Sequence, residues 1–148
     1  MEKKLKNIAD PYKWSKETAQ ALRTGNLSAV DMDELIDEVE SIASGLHREL
    51  VSTVTDIIEA LIVLDYTKGD PEEANRKLVR AQGQLQLLLS SSVSLRDTLG
   101  DAIVKAYEWT KDSISTDYGI SLPDRCPLPL ERIVEDPYDR LVAEGMLV

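Results

Sequence analysis

Apolar residues recur at intervals of three and four along most of this chain, which is the period of an amphipathic α-helix. Strand signals are weak, because the sequence contains no phenylalanine, few β-branched runs and no Asn-Gly or Asp-Gly hairpin. We therefore predict an all-α fold, a bundle of four main helices with a long second helix, a short C-terminal helix and a proline-rich tail. Residues 1–148 are predicted to form a single domain, with a polar N-terminal arm over 1–13 and the tail over 120–148.

Capping residues and helix breakers set the predicted helix boundaries. Ser15 is the expected N-cap of the first helix, and Asp31 or Asp33 is the expected N-cap of the second. Asp70 followed by Pro71 is the clearest helix start, because it combines a capping side chain with a proline at the first helical position. The predicted helices span residues 15–24, 31–66, 71–89, 94–118 and 130–135.

The second helix is predicted to change its packing halfway along. At about 100° per residue, the apolar residues of its first half fall within about 120° and form one face, which we expect to pack. In its second half another apolar face opens at Val51, Ile58 and Ile62, so this half is predicted to be the bundle centre or half of an oligomer interface. Gly45 is the best position for a bend. The face of the first half consists of Leu35, Ile36, Val39, Ile42, Ala43 and Leu46.

Charge and cysteine content narrow the functional classes. The chain has 17 basic and 27 acidic side chains and a formal charge of −10, which disfavours general binding to nucleic acid. A single cysteine, Cys126, excludes an internal disulfide and indicates a reducing compartment. No apolar run is long enough to span a bilayer, and none resembles a secretory signal. We expect a cytoplasmic protein without a membrane partner.

A non-enzymatic interaction with a protein is the function that this pattern favours. Like charges four residues apart on the second helix are mildly destabilising, and a basic partner would relieve that repulsion. The partner is predicted to be another helix, either of a second copy of the chain or of a different protein. The residues predicted to bind it are the apolar Val51, Ile58 and Ile62 or the acidic Asp33, Asp37 and Glu40.

A magnesium-dependent phosphohydrolase is the alternative enzymatic hypothesis. The pairs Glu34/Asp37 and Asp56/Glu59 loosely resemble the two acidic motifs of all-α nucleotide pyrophosphohydrolases, whose carboxylates converge on Mg²⁺. Here both pairs lie on one predicted helix, opposite its core face. We therefore expect a solvated acidic surface, and we predict neither a metal nor a cofactor.

A small basic patch on the third helix supports a third hypothesis, weak binding to RNA. Arg76, Lys77 and Arg80 cluster away from the apolar face of that helix. Three basic residues without interleaved aromatic residues are a small footprint for a nucleic acid. Charge pairing with acidic residues of the protein is the expected role of this patch.

Several short motifs resemble domain-of-unknown-function family 29, a bacterial family. The similarity is clearest in Tyr12-Lys13-Trp14 and in the run from Leu35 to Ile42, and it continues in Ser94-Leu95-Arg96 and in Leu122-Pro123 through Cys126-Pro127. It spans nearly the whole chain. The resemblance implies an all-α fold and leaves the activity open.

Overall fold

The computed structural model describes residues 9–145, and all regular secondary structure in this range is helical. The predicted all-α fold with a long second helix is confirmed. Two short 3₁₀ segments, Leu27–Ala29 and Val93–Thr98, precede α2 and α4. The helices are α1 (Pro11–Arg23), α2 (Met32–Tyr66), α3 (Pro71–Ser91), α4 (Leu99–Tyr118), α5 (Leu130–Ile133) and α6 (Pro137–Ala143).

Three helices begin at an Asp-Pro pair. In each, the aspartate carboxylate accepts hydrogen bonds from backbone N–H groups of the first turn, and the proline occupies a position whose own N–H would have no partner. The pairs are Asp10-Pro11 in α1, Asp70-Pro71 in α3 and Asp136-Pro137 in α6.

The Asp-Pro pairs correct two sequence predictions. The N-cap of α1 is Asp10 and not Ser15, so the last residues of the predicted polar arm belong to a helix. Residues 1–8 of that arm lie outside the described residues. Helix α6 was not predicted, although Asp136-Pro137 carries the same signal as Asp70-Pro71. The fourth helix also starts later than expected, because residues 93–98 adopt the tighter 3₁₀ geometry.

The chain divides into two compact units, Met1–Gly45 and Leu46–Val148, and the division falls within α2. Helix α2 itself is continuous through Gly45. In the first unit the buried side chains are few: Trp14, Thr18, Ala21 and Val30. Gly25, with a φ of 72°, ends α1 in the left-handed conformation that favours glycine.

The second unit contains a large hydrophobic core. The 46–66 part of α2 supplies its centre, because that segment has apolar residues on more than one face. Helices α3 and α4 contribute one apolar stripe each. The fully buried side chains of this core include Leu50, Ile57, Ile58, Leu61, Ile62, Leu78, Leu85, Leu89 and Ile133.

The proline-rich C-terminal segment, residues 120–145 of the predicted tail, packs on this core. Leu122, Leu128 and Ile133 are buried in it. On α3, the Gln82 Nε2 atom donates a hydrogen bond of 2.9 Å to the Arg132 carbonyl, and the Gln86 Nε2 atom donates one of 2.8 Å to the Val134 carbonyl. These bonds satisfy carbonyls at the end of α5, where a helix leaves its acceptors free.

Further polar contacts hold the C-terminal segment against the helices. The Tyr107 hydroxyl of α4 donates a 2.5 Å hydrogen bond to the Pro123 carbonyl. One turn later on α4, Lys111 forms a 2.8 Å ion pair with Asp124. Arg132 forms an ion pair with Asp65 near the end of α2. The segment is therefore held by side chains from three helices.

Two isoleucines on α2 test the assignment of the core. Ile58→Ala removes a fully buried side chain and is expected to lower the free energy of unfolding by about 2–5 kcal/mol. Ile42→Ala removes an exposed side chain and is expected to change it by less than about 0.5 kcal/mol. Urea unfolding followed by circular dichroism measures both. Equal losses for the two variants would contradict this assignment.

The hydrogen bonds from Gln82 and Gln86 to the Arg132 and Val134 carbonyls, called the glutamine clamp below, give a second prediction. Gln86→Met removes the donor to the Val134 carbonyl and is expected to cost about 1 kcal/mol of unfolding free energy. Backbone amides after Pro129 should then exchange faster with deuterated solvent. Gln84→Met is the matched control, because Gln84 is exposed and its Nε2 atom donates a long hydrogen bond of 3.4 Å to the Glu49 carboxylate of α2, away from the C-terminal segment. Unchanged exchange in the Gln86 variant would show that the bond does not hold the segment.

Candidate functional site

The N-terminal half of α2 exposes the apolar face that the sequence analysis expected to pack. Ile36 is 48% exposed, Val39 58% and Ile42 63%. These three residues, spaced three apart along one face, are called the α2 apolar stripe below. Met32, one turn before Ile36, is exposed as well. The prediction that this face packs is wrong for Ile36, Val39 and Ile42, because no element of the described residues covers them, whereas Leu46 at the end of the face packs against the core.

The start of α2 positions this stripe. The Asp31 carboxylate accepts a 3.2 Å hydrogen bond from the Glu34 backbone N–H, so the predicted capping by Asp31 is observed. Asp33 and Glu34 follow in the first turn, where carboxylates interact favourably with the helix dipole. The stripe begins directly after this turn.

The residues called the acidic edge are Asp33 and Glu40, which lie beside the stripe, and Asp37, which lies one turn after Asp33 and farther round the helix from the stripe. Asp33, Asp37 and Glu40 are all exposed. Helical spacing places Asp33 three residues before Ile36 and Glu40 four residues after it, so both carboxylates neighbour that side chain. Residues 31–47 contain no lysine or arginine. The potential along this edge is therefore negative.

The apolar residues that the sequence predicts to bind a partner, Val51, Ile58 and Ile62, lie elsewhere on α2. Val51 is 4% exposed, and Ile58 and Ile62 are 0% exposed. All three lie in the core of the second unit. The second apolar face of α2 is thus the centre of the bundle, which was one of the two predicted roles, and it offers no surface to a partner in the folded chain.

The four carboxylates of the metal hypothesis do not form a metal site. Within residues 9–145, no three His, Cys, Asp or Glu side chains converge so that they could hold a metal ion. Asp56 and Glu59 are instead directed to Lys77, whose Nζ lies 3.8 Å from Asp56 and 2.5 Å from Glu59. Lys77 thus pairs with both carboxylates, which lie one turn apart on α2.

The basic patch is divided by the same ion pair. Lys77 is held by α2, whereas Arg76 and Arg80 remain exposed. The groove beside these three residues is also lined by Asp56 and Glu73. Acidic and basic side chains therefore share this surface. A phosphate backbone would meet carboxylates there, so the geometry fits the expected charge pairing better than a nucleic-acid interface.

A cleft beside the C-terminal segment contains the one cysteine of the chain. Cys126 and Tyr107 line it together with Arg125 and Glu108. Burial raises the pKa of the Cys126 thiol, and a hydrogen bond from the Leu128 backbone offsets this in part. The thiol is therefore neutral near pH 7 and is not activated as a nucleophile.

Burial also raises the pKa of the Tyr107 hydroxyl, with a smaller contribution from nearby Cys126. Asp124 also lines the cleft, and its hydrogen bond with Lys111 lowers the pKa of the Asp124 carboxyl and raises that of the Lys111 ammonium. Tyr107, Lys111 and Asp124 each take part in the polar contacts that hold the C-terminal segment. The perturbed groups that line the cleft are therefore accounted for by their contacts within the fold.

Comparisons with known proteins identify one family. The family model described as "Domain of unknown function DUF29" matches residues 8–139, as the resemblance in the sequence indicated. Neither the curated proteins nor the solved structures contain a significant match. In the part of the chain that the structure describes, no helix is both long enough and apolar enough to cross a membrane.

The raised pKa of Tyr107 predicts a stability that falls at alkaline pH. A pKa above the ordinary value of 10.0 favours the neutral hydroxyl in the folded state, so its contribution is complete below pH 10.0 and is lost as the pH rises through the folded-state pKa. Tyr107→Phe should cost about 1 kcal/mol near pH 7 through the lost bond to Pro123. The substitution should also make the decline of the unfolding free energy above about pH 10 shallower.

Urea unfolding near pH 7 and at about pH 10.5 measures both effects. Tyr138→Phe is the control, because Tyr138 is exposed. An alkaline decline of the same size in the Tyr107 variant and the parent would contradict the assignment.

Proposed function

Because the chain belongs to the DUF29 family, whose description states no activity, we propose its function from its surface: it is a non-enzymatic module that binds another protein chain. The docking site is the α2 apolar stripe with its acidic edge. The observation that carries the proposal is the exposure of Ile36, Val39 and Ile42 along a single helical face. Contiguous apolar surface of this kind marks interaction sites in proteins.

The energetics support a docked partner. Complete burial of a fully exposed isoleucine or valine contributes about 1.5–3 kcal/mol. The three side chains of the stripe are 48–63% exposed, so each offers a partner roughly half of that gain. Residues on a preformed helix lose little backbone entropy on association. The stripe therefore has the character of an anchor patch, with polar carboxylates at its rim as in other interfaces.

The acidic edge gives the site its selectivity. Exposed carboxylates add little affinity individually, but they steer association and reject partners of like charge. Asp33, Asp37 and Glu40 are the residues in this role.

We propose further that the protein acts in the cytoplasm. The single cysteine, Cys126, has no disulfide partner in the chain, which supports action in a reducing compartment.

Site-specific photocrosslinking tests the docking site. A photoreactive phenylalanine analogue at Val39, introduced in cells that produce the protein, is expected to yield a covalent adduct with another polypeptide. The same analogue at Leu87 is the control, because Leu87 is also an exposed apolar residue on a helix but lies on α3.

An adduct from position 39 that disappears when Ile36 and Ile42 are replaced by serine would support the proposal. Adducts of equal yield from positions 39 and 87, or none from position 39, would exclude the stripe as the docking site. Thermal unfolding of each variant checks that the fold is retained.

A further inference from the structure

We propose that the partner of the α2 apolar stripe is a basic amphipathic helix of a different protein, and not a second copy of this chain. This inference rests on the proposed function of the stripe. It adds the chemistry of the partner, which the exposure of the stripe does not define.

The charge around the stripe points to a basic partner. Asp33, Asp37 and Glu40 are exposed carboxylates on the same helix, and the next basic side chain along α2 is Arg48. Asp33 and Glu40 neighbour Ile36 on the helix surface, so a segment packed on the stripe brings its flanking side chains next to these carboxylates. Lysine or arginine in those flanking positions forms ion pairs and relieves the repulsion between Asp33 and Asp37.

The same charge disfavours a second copy. A symmetric dimer built on this face would bring the Asp33 and Glu40 carboxylates of both copies into the contact. Like charges across an interface are destabilising, and the formal charge of −10 on each chain adds a long-range repulsion. The stripe itself contains no basic group that could compensate.

The shape of the site points to a helix. Met32, Ile36, Val39 and Ile42 follow one face of α2, over about 15 Å along its axis. An apolar face of this length matches about three turns of a second helix with apolar residues at positions i, i+3 or i+4, and i+7. Two helices packed in this way bury both stripes and leave the charged residues at the edges.

Synthetic peptides test this proposal with the full-length protein. One fluorescein-labelled peptide of about 18 residues carries leucine at helical spacing with lysine on both flanks, and a second has glutamate in place of the lysines. A third has the composition of the first with its leucines scrambled. Fluorescence anisotropy measures binding, and light scattering of the protein alone measures its oligomeric state.

The lysine-flanked peptide is expected to bind at least about tenfold more tightly than either of the other two, with an affinity that falls as salt is added. Asp33→Asn/Asp37→Asn/Glu40→Gln should weaken its binding by roughly tenfold. The matched control is Glu108→Gln/Asp117→Asn/Asp139→Asn, which removes the same three charges from exposed positions elsewhere and should leave binding unchanged.

The outcomes separate this inference from the proposed function. Equal binding of the lysine and glutamate peptides, abolished by serine at Ile36 and Ile42, would leave the stripe as a docking site and overturn the basic partner. Equal weakening by both sets of charge variants would show attraction to the net charge alone and also overturn it. A protein dimer that dissociates in the serine variant would assign the stripe to a second copy. If no peptide binds, a basic helix is not the partner, and photocrosslinking at position 39 then decides the docking site independently.

Discussion

The burial of the 46–66 part of α2 is the constraint on which the second unit depends. This segment has apolar residues on more than one face, so it can be removed from water only by elements packed on several sides. Helices α3 and α4 supply apolar stripes, and the C-terminal segment adds Leu122, Leu128 and Ile133. Because Ile58 and Ile62 lie at the centre of this arrangement, the second unit cannot offer them to a partner without losing its own core.

Helical period and capping residues together account for most of the fold that could be predicted. The apolar repeat located α2 and α3 within a few residues, because both helices carry long, regular patterns. Short helices have too few residues for a repeat, and there the caps carry the information. Asp10-Pro11 and Asp136-Pro137 are physically equivalent to Asp70-Pro71, so applying that one rule evenly would have located the starts of α1 and α6.

The candidate site was harder to predict, because a periodic pattern shows which residues are apolar and not what covers them. Ile36 and Ile57 belong to similar repeats on the same helix, yet the first is exposed and the second is buried. The difference is decided by tertiary partners distant in sequence. Charge was more informative, since the acidic residues Asp33, Asp37 and Glu40 lie on the surface, as helical amphipathicity required.

The glutamine clamp has a consequence for how this chain can vary. Gln82 and Gln86 bind main-chain carbonyls, which every amino acid presents, so these bonds place few demands on the side chains of Arg132 and Val134. They do require those carbonyls to arrive at fixed positions along α3. The Tyr107 bond to the Pro123 carbonyl imposes the same condition at the other end. Substitutions at the exposed positions between these anchors should accumulate easily during evolution, whereas changes at the buried Leu128 and Ile133, and insertions or deletions, should be rare.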